Sequence, residues 1–461
     1  MTGEKKPTGE PATTGAPESR ARRSFGQMAK SRLARVFAGT FLVAFVSRLL
    51  VLGMTIIVAR QLSPSGYGLF TFATGTAFLC AQFAGLGWPA LMSRLIPILR
   101  VQENWPALRS LLRWGDTIVL LGSLVAFTLV FVAMTLPGFD KELQAGLALT
   151  LILIFPTALT LSRRSQLAGA RRPVIGIIFD ETIPPAAVIL ITIVADLSEA
   201  LPILITYGTF AALGTVFSTY FFRRALPKQT WEAAPVGNVR AWTVMALPLL
   251  MGMSAKLVMN RLDILMLGPL ANLAEVGYFG AAFRITYLLT FPQIVMMQIV
   301  TPLLAESIGS GEERQMWRHF RTAIIFSLAT ALPASIVLCI YSGPIATTIF
   351  GGDFAQSAAP LSILALSQAV SALTIPLAGL LIAIGKGAKY GQINLIALVT
   401  NVGLNFAFIP SYGAVGAAMS SMIAVVLMFC LQAHSVFRAR NNILESKHNL
   451  GLDDVKNASG T

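Results

Sequence analysis

The chain has 461 residues, of which 55% are hydrophobic and only 12% charged, and its mean hydropathy is +0.70. Soluble domains carry about 25% charged residues, so the composition excludes an ordinary soluble protein and points to the membrane class. The formal net charge of +14 would suggest a nucleic-acid partner on a soluble chain, and its distribution along this one excludes that reading.

Residues 1–38 are polar and rich in Gly, Pro and Thr. Such a stretch buries too little apolar surface to fold, and it reads as a disordered cytoplasmic tail with no cleavable leader. From Arg20 to Phe37 it turns basic, with Phe25, Met28, Leu33 and Val36 interspersed; an interfacial amphipathic helix is the competing reading there. A span takes about 20 mostly apolar residues, and twelve candidates follow. Spans 1 to 6 are predicted at Gly39–Arg60, Gly66–Met92, Trp114–Leu136, Glu142–Ser162, Val174–Ala195 and Leu201–Phe222. Spans 7 to 12 are predicted at Ala241–Leu267, Val276–Pro302, Phe320–Tyr341, Phe354–Ile384, Tyr390–Ile409 and Gly413–Phe437, with a kink or tilt expected at Pro376.

Of the 35 Lys and Arg residues, 29 fall in the N-terminal tail, the loops after even-numbered spans and the C-terminal tail. Only Arg60 and Lys141 fall on the opposite side. Basic residues favour cytoplasmic loops, so both termini are expected in the cytoplasm, and the positive charge is topological. Cys80, Cys339 and Cys430 lie in apolar stretches without disulfide or metal spacing. His319, His434 and His448 fall at helix ends or in tails. No cofactor or metal site is expected.

Four basic residues remain inside spans: Arg48, Lys256, Arg261 and Arg284. A charge near the bilayer centre costs at least ~2.5 kcal/mol, and such residues usually face a water-filled path. Arg48 is near the middle of span 1. Lys256, Asn260 and Asp263 share one face of span 7. Arg261, towards the outer end of that span, fits a snorkelling anchor. Arg284 is outward of the centre of span 8. Asp180 and Glu181 precede Pro184-Pro185 in span 5, where prolines free carbonyls. Together with Asp263 these acids are partners for the cations, Arg48 included, or groups that titrate during coupling. Span 11 sets Asn394, Asn401 and Asn405 on one face. Such amides glue helices together or, like Asn260, contact sugar hydroxyls. The surplus of central cations favours anions over cationic drugs.

The stretches "LSPSGYGLFTF" (Leu62–Phe72) and "LAEVGYFGAAF" (Leu273–Phe283) align at Leu, Gly-Tyr and Phe. Each follows the first span of a six-span half, so the halves are parallel repeats about an axis along the membrane normal, with a cavity between them. The fold class is therefore an all-α polytopic membrane protein: twelve transmembrane helices in two pseudo-symmetric six-helix lobes, residues 39–222 and 241–437, joined by a linker at 223–240 and followed by a tail at 438–461. No connection has room for a soluble domain. The phosphate-loop pattern fails at "GLLIAIGKG", and no dinucleotide or metalloprotease motif appears.

"VARQLSPSGYGLF" after span 1 and "RLDILMLGPLANLAEVGYFGAAFRI" across spans 7 and 8 resemble the polysaccharide transporter family. These are the Wzx-type lipid-linked oligosaccharide flippases of the multidrug/oligosaccharidyl-lipid/polysaccharide exporter superfamily. The resemblance covers Phe37 to Phe437. It implies two lobes around a V-shaped cavity lined by spans 1, 2, 7 and 8, a bacterial inner membrane, and a cargo of undecaprenyl diphosphate carrying a sugar repeat unit. It assigns Arg48, Lys256 and Arg284, with Arg261, to the cargo's negative charge. It also implies membrane lipids as surroundings, with a polymerase and glycosyltransferases of one pathway as partners. The related lipid II flippases have two further helices that this chain lacks. The expected function is alternating-access flipping, without enzymatic activity, for surface polysaccharide synthesis. Its rivals are an ion-coupled multidrug exporter, which would want carboxylates in the cavity, and a membrane polysaccharide polymerase, which would want a large outer catalytic loop.

Overall fold

The computed structural model describes residues 17–137 and 140–458, and the side chains of these except 17–38, 248–257, 260 and 440–458. Residues 1–16 of the expected tail lie outside the described residues, whereas residues 17–38, expected to be disordered, have helical backbone and begin the first helix, Pro17–Gln61. The described residues are almost wholly helical. Among the described residues nine helices are long and apolar enough to cross a membrane, or ten if a bent pair forms one span. That number counts Gly387–Ala439 once, although Gly413 (φ 54°, ψ −129°) breaks it into 387–412 and 414–439, the expected spans 11 and 12. The helix Val239–Leu270, which covers span 7, includes side chains outside the described set. The element order is therefore consistent with twelve spans.

Span 2 departs from the expected single helix. It comprises Pro64–Ala84 and Trp88–Val101, bent by 53°. The cause is local: Gly85-Leu86-Gly87 turns with φ of 45° at Leu86 and 79° at Gly87, and Pro89 restarts the helix at its first turn. The bend carries Trp88, Leu91, Met92 and Ile96 into a separate core with Leu108, Leu111 and Phe222. The linker docks on the same region, since Val236 N–H donates to Pro106 O at 3.3 Å and Arg109 Nη1 to Ala233 O at 2.7 Å. It therefore belongs structurally to the first half. Span 5, Pro173–Val194, contains a π-helical turn at Ile178–Thr182. Pro184 and Pro185 bring no N–H to the ladder, and the turn before them widens accordingly.

Between the halves the most extensive contact joins Pro64–Ala84 to Leu273–Tyr287. It is made backbone to backbone. A methyl group built on Gly68 would collide with the carbonyl of Leu273, and one on Gly277 with that of Pro64. The crossing point thus lies at the repeated motif, at Gly277 of its second copy and at Gly68, one residue past the Gly-Tyr of its first. Its two tyrosines, Tyr67 and Tyr278, both stand edge-on to Phe354, with centroids 5.8 and 6.2 Å away. At the end of span 1, Arg60 Nε donates to Ile349 O at 2.8 Å and Nη2 to Thr348 O at 2.5 Å. These carbonyls end the short helix Ser342–Phe350, where unsatisfied acceptors favour a cation. Together these contacts close one side of the seam, the side away from the basic loops.

Candidate functional site

Basic residues of both halves reach across the seam to aromatic rings of the other half. The Arg48 guanidinium lies 5.7 Å from the Tyr287 ring centre and 5.3 Å from that of Phe291, the cation–π range. Its buried Nε has no hydrogen-bond partner. A 3₁₀ turn at Leu288–Thr290 interrupts span 8 between these two rings and presents both to span 1. Arg261 lies 5.1 Å from the centre of the Phe78 ring on span 2. It therefore reaches across the seam rather than snorkelling to an interface. Arg261 and Arg284 are within electrostatic reach of each other and of Tyr67 and Tyr207; Arg261 also reaches Tyr287.

Among the described residues there are three ion pairs, joining Arg163 to Asp116 and Arg164 to Asp180 and Glu181. None includes Arg48, Arg261 or Arg284. Half-buried guanidinia that face one another without a carboxylate are unfavourable by themselves. They are complementary to a multiply charged anion that takes bidentate hydrogen bonds. The side chains of Lys256 and Asn260, which the sequence placed in this set, lie outside the described residues.

The acids of span 5 are engaged elsewhere. Arg164 Nη1 lies 2.8 Å from Asp180 Oδ2 and 2.5 Å from Glu181 Oε1. The expected pairing of these acids with Arg48 is thus replaced by pairing with Arg164. Span 4 runs on to Gly169, well past its predicted end at Ser162, so Arg164 is a helix residue inside the bundle rather than a loop cation. The π turn swings two consecutive carboxylates to the same side. Ser47 and Thr182 hydroxyls, 2.7 Å apart, tie this turn to span 1 beside Arg48. Arg164→Met should leave two carboxylates together in the bundle and lower the thermal unfolding midpoint. Adding Asp180→Asn and Glu181→Gln should restore most of the loss; equal instability in the triple variant would refute the pairing as the cause.

Asp263 is 2% exposed and accepts from Asn401 Nδ2 at 3.1 Å, from Asn405 Nδ2 at 2.7 Å and from the Ser421 hydroxyl. The cluster binds spans 7, 11 and 12 together within the second half. Asn401 and Asn405 are fully buried there rather than turned to the seam, and Asn394, also buried, leaves both amide atoms without partners. Asp263→Ala strands three donors, and each stranded buried group costs about 1–3 kcal/mol. The substitution should therefore destabilise the protein by at least ~3 kcal/mol, read by thermal unfolding in detergent, with Asn401→Leu costing less.

Sequence reasoning did not single out Tyr67, Tyr207, Tyr287, Phe78 or Phe291. Tyr67 had a signal in the repeated motif. The others sit in apolar spans where nothing marks an aromatic as facing a cation.

The family model for MatE matches residues 248–407. The "EPS I polysaccharide export inner membrane protein EpsE" of Ralstonia solanacearum is 24% identical over 410 residues, covering 84% of this chain and 90% of that protein. The "probable low-salt glycan biosynthesis flippase Agl15" of Haloferax volcanii is 23% identical over 173 residues, 38% of this chain and 37% of that protein. Among solved structures, the lipid II flippase MurJ in an inward closed conformation superposes with a TM-score of 0.69 at 17% identity, covering 86% of this chain and 87% of that one; that likeness establishes the two-lobed fold. The family model for polysaccharide biosynthesis proteins matches residues 33–307, more than half of the chain, and this multi-pass membrane protein belongs to that family.

Proposed function

We propose that the protein is a flippase that carries a lipid-linked oligosaccharide across the bacterial inner membrane for surface polysaccharide synthesis, as a transporter and not an enzyme. The observation that carries this reading is the set of Arg48, Arg261 and Arg284 at the seam between the halves, none of them in an ion pair with a carboxylate among the described residues. Such a set suits a diphosphate-linked sugar head and repels a cationic drug. Relatives named for glycan flipping and for polysaccharide export support the same class of cargo.

In this reading the head enters from the cytoplasmic side, where the basic loops lie, while the closed outer seam blocks escape. Arg284 and Arg261 hold the phosphates, with Lys256 on the same span, and Arg48 guards the edge of the seam nearest lipid. Undecaprenyl diphosphate is the proposed carrier, and its tail remains in the bilayer. Rocking of the halves then exchanges the open side.

Purified protein in liposomes should move a fluorescent prenyl-diphosphate saccharide between leaflets, and loss of the gene should trap lipid-linked precursor on the cytoplasmic leaflet. Transport of a lipophilic cation, with no movement of the saccharide lipid, would transfer the protein to the drug-exporter class.

A further inference from the structure

A cavity of about 1210 Å³ lies apart from the seam, at the end of the second half where its basic loops cluster, among spans 9, 10 and 12. Its wall is apolar, with Ile324, Leu373, Leu377 and Phe429. Its mouth is the start of the helix Glu313–Ile340, and along that helix the chemistry changes with depth. Glu312 stands at the rim and Arg314 beside it. Trp317 and Phe320 come about a turn deeper, then Arg321, and Ile324 opens the apolar wall. The Trp317 and Phe320 rings meet edge to face at 5.7 Å. The Trp317 indole donates to Glu313 Oε1 at 3.4 Å, which engages that carboxylate. Glu312, Arg314 and Arg321 are exposed and enter none of the ion pairs among the described residues.

The cavity is open to its surroundings, and an apolar wall at membrane depth is covered by hydrocarbon rather than by water. We propose that the cavity binds one phospholipid of the adjoining leaflet whose head carries both a phosphate and a primary ammonium. Glu312 takes the ammonium at the rim. Arg314 and Arg321 take the phosphodiester through charge-assisted hydrogen bonds. Trp317 lies at the interfacial level that suits its amphipathic ring, and the acyl chains cover Leu373, Leu377 and Phe429. From water inward the protein presents a carboxylate and a guanidinium at the rim, aromatic rings with a second guanidinium about a turn deeper, then aliphatic side chains, an order that suits the ammonium, phosphate and hydrocarbon of such a lipid. A purely anionic head would set its charge against Glu312, and a bare prenyl chain would leave both arginines unmatched. The inference is independent of the transported cargo.

Full-length protein, stripped of lipid in detergent, is titrated with phosphatidylethanolamine or phosphatidylglycerol, and bound lipid is counted by native mass spectrometry. One phosphatidylethanolamine should bind in preference. Arg321→Ala should weaken it about tenfold, the equivalent of one charge-assisted contact. Glu312→Gln should erase the preference between the two lipids. Leu373→Trp should displace the lipid by filling the wall, and if it fails to fold the exposed Arg321→Ala variant still gives the reading. Equal binding of both lipids by the wild type, or undiminished phosphatidylethanolamine binding in Arg321→Ala, would overturn the proposal.

Discussion

Arg284→Ala is expected to slow translocation of the saccharide lipid by about 10- to 100-fold, the range that corresponds to losing a hydrogen bond to a charged group worth about 1.5–3 kcal/mol. The protein itself should remain inserted and folded. Arg284 makes no ion pair among the described residues and faces a second guanidinium, Arg261, so its removal relieves repulsion instead of stranding an acid. Thermal stability should hold or rise while transport falls, which separates a binding role from a structural one. Arg284→Lys should recover part of the rate, because an ammonium keeps the charge but not the bidentate geometry. Transport at the wild-type rate in Arg284→Ala would remove this residue from the cargo site.

The second large effect concerns Gly277. A valine there meets the Pro64 carbonyl, and the facing position, Gly68, is closed against Leu273 in the same way. The closed side of the seam cannot then reach the separation seen here, so the resting population should shift to states open on that side, expected to be the extracytoplasmic one. Shifting a two-state equilibrium from 1:99 to 99:1 takes about 5.5 kcal/mol, a scale that a backbone collision supplies. Transport should fall at least tenfold, since cycling needs both states. A cysteine at Thr71, buried on span 2, should become reactive to an impermeant maleimide from outside once Cys80, Cys339 and Cys430 are replaced by serine. Full protection of that cysteine in Gly277→Val would show that the glycine contact does not govern access.

Much of this arrangement was legible in the sequence because the membrane penalises exceptions. Arg48, Arg261 and Arg284 stand out against long apolar runs, and the Gly-Tyr repeat marks equivalent turns. The partner of Asp180 and Glu181 was not legible. Arg164 follows the last apolar residue of its run and so reads as a loop cation, whereas the helix continues past it. The π turn that aims both acids at it depends on how two prolines disturb hydrogen bonding, which periodicity does not encode. The bend after Ala84 was within reach, since Gly-Leu-Gly-Trp-Pro is a break-and-restart signal. Asn401 and Asn405 illustrate the reverse: helical spacing set them on one face, but only packing reveals that this face turns inward to Asp263.

Phe354 has a consequence for the energised cell. Its ring sits on the second half and meets Tyr278 of that half and Tyr67 of the first, so of the two contacts only the one with Tyr67 parts when the halves separate. The Tyr278–Phe354 pair stays behind as an apolar face, which disfavours a continuous wire of water while the gap is narrow. Ion leak through a partly opened seam is thereby limited.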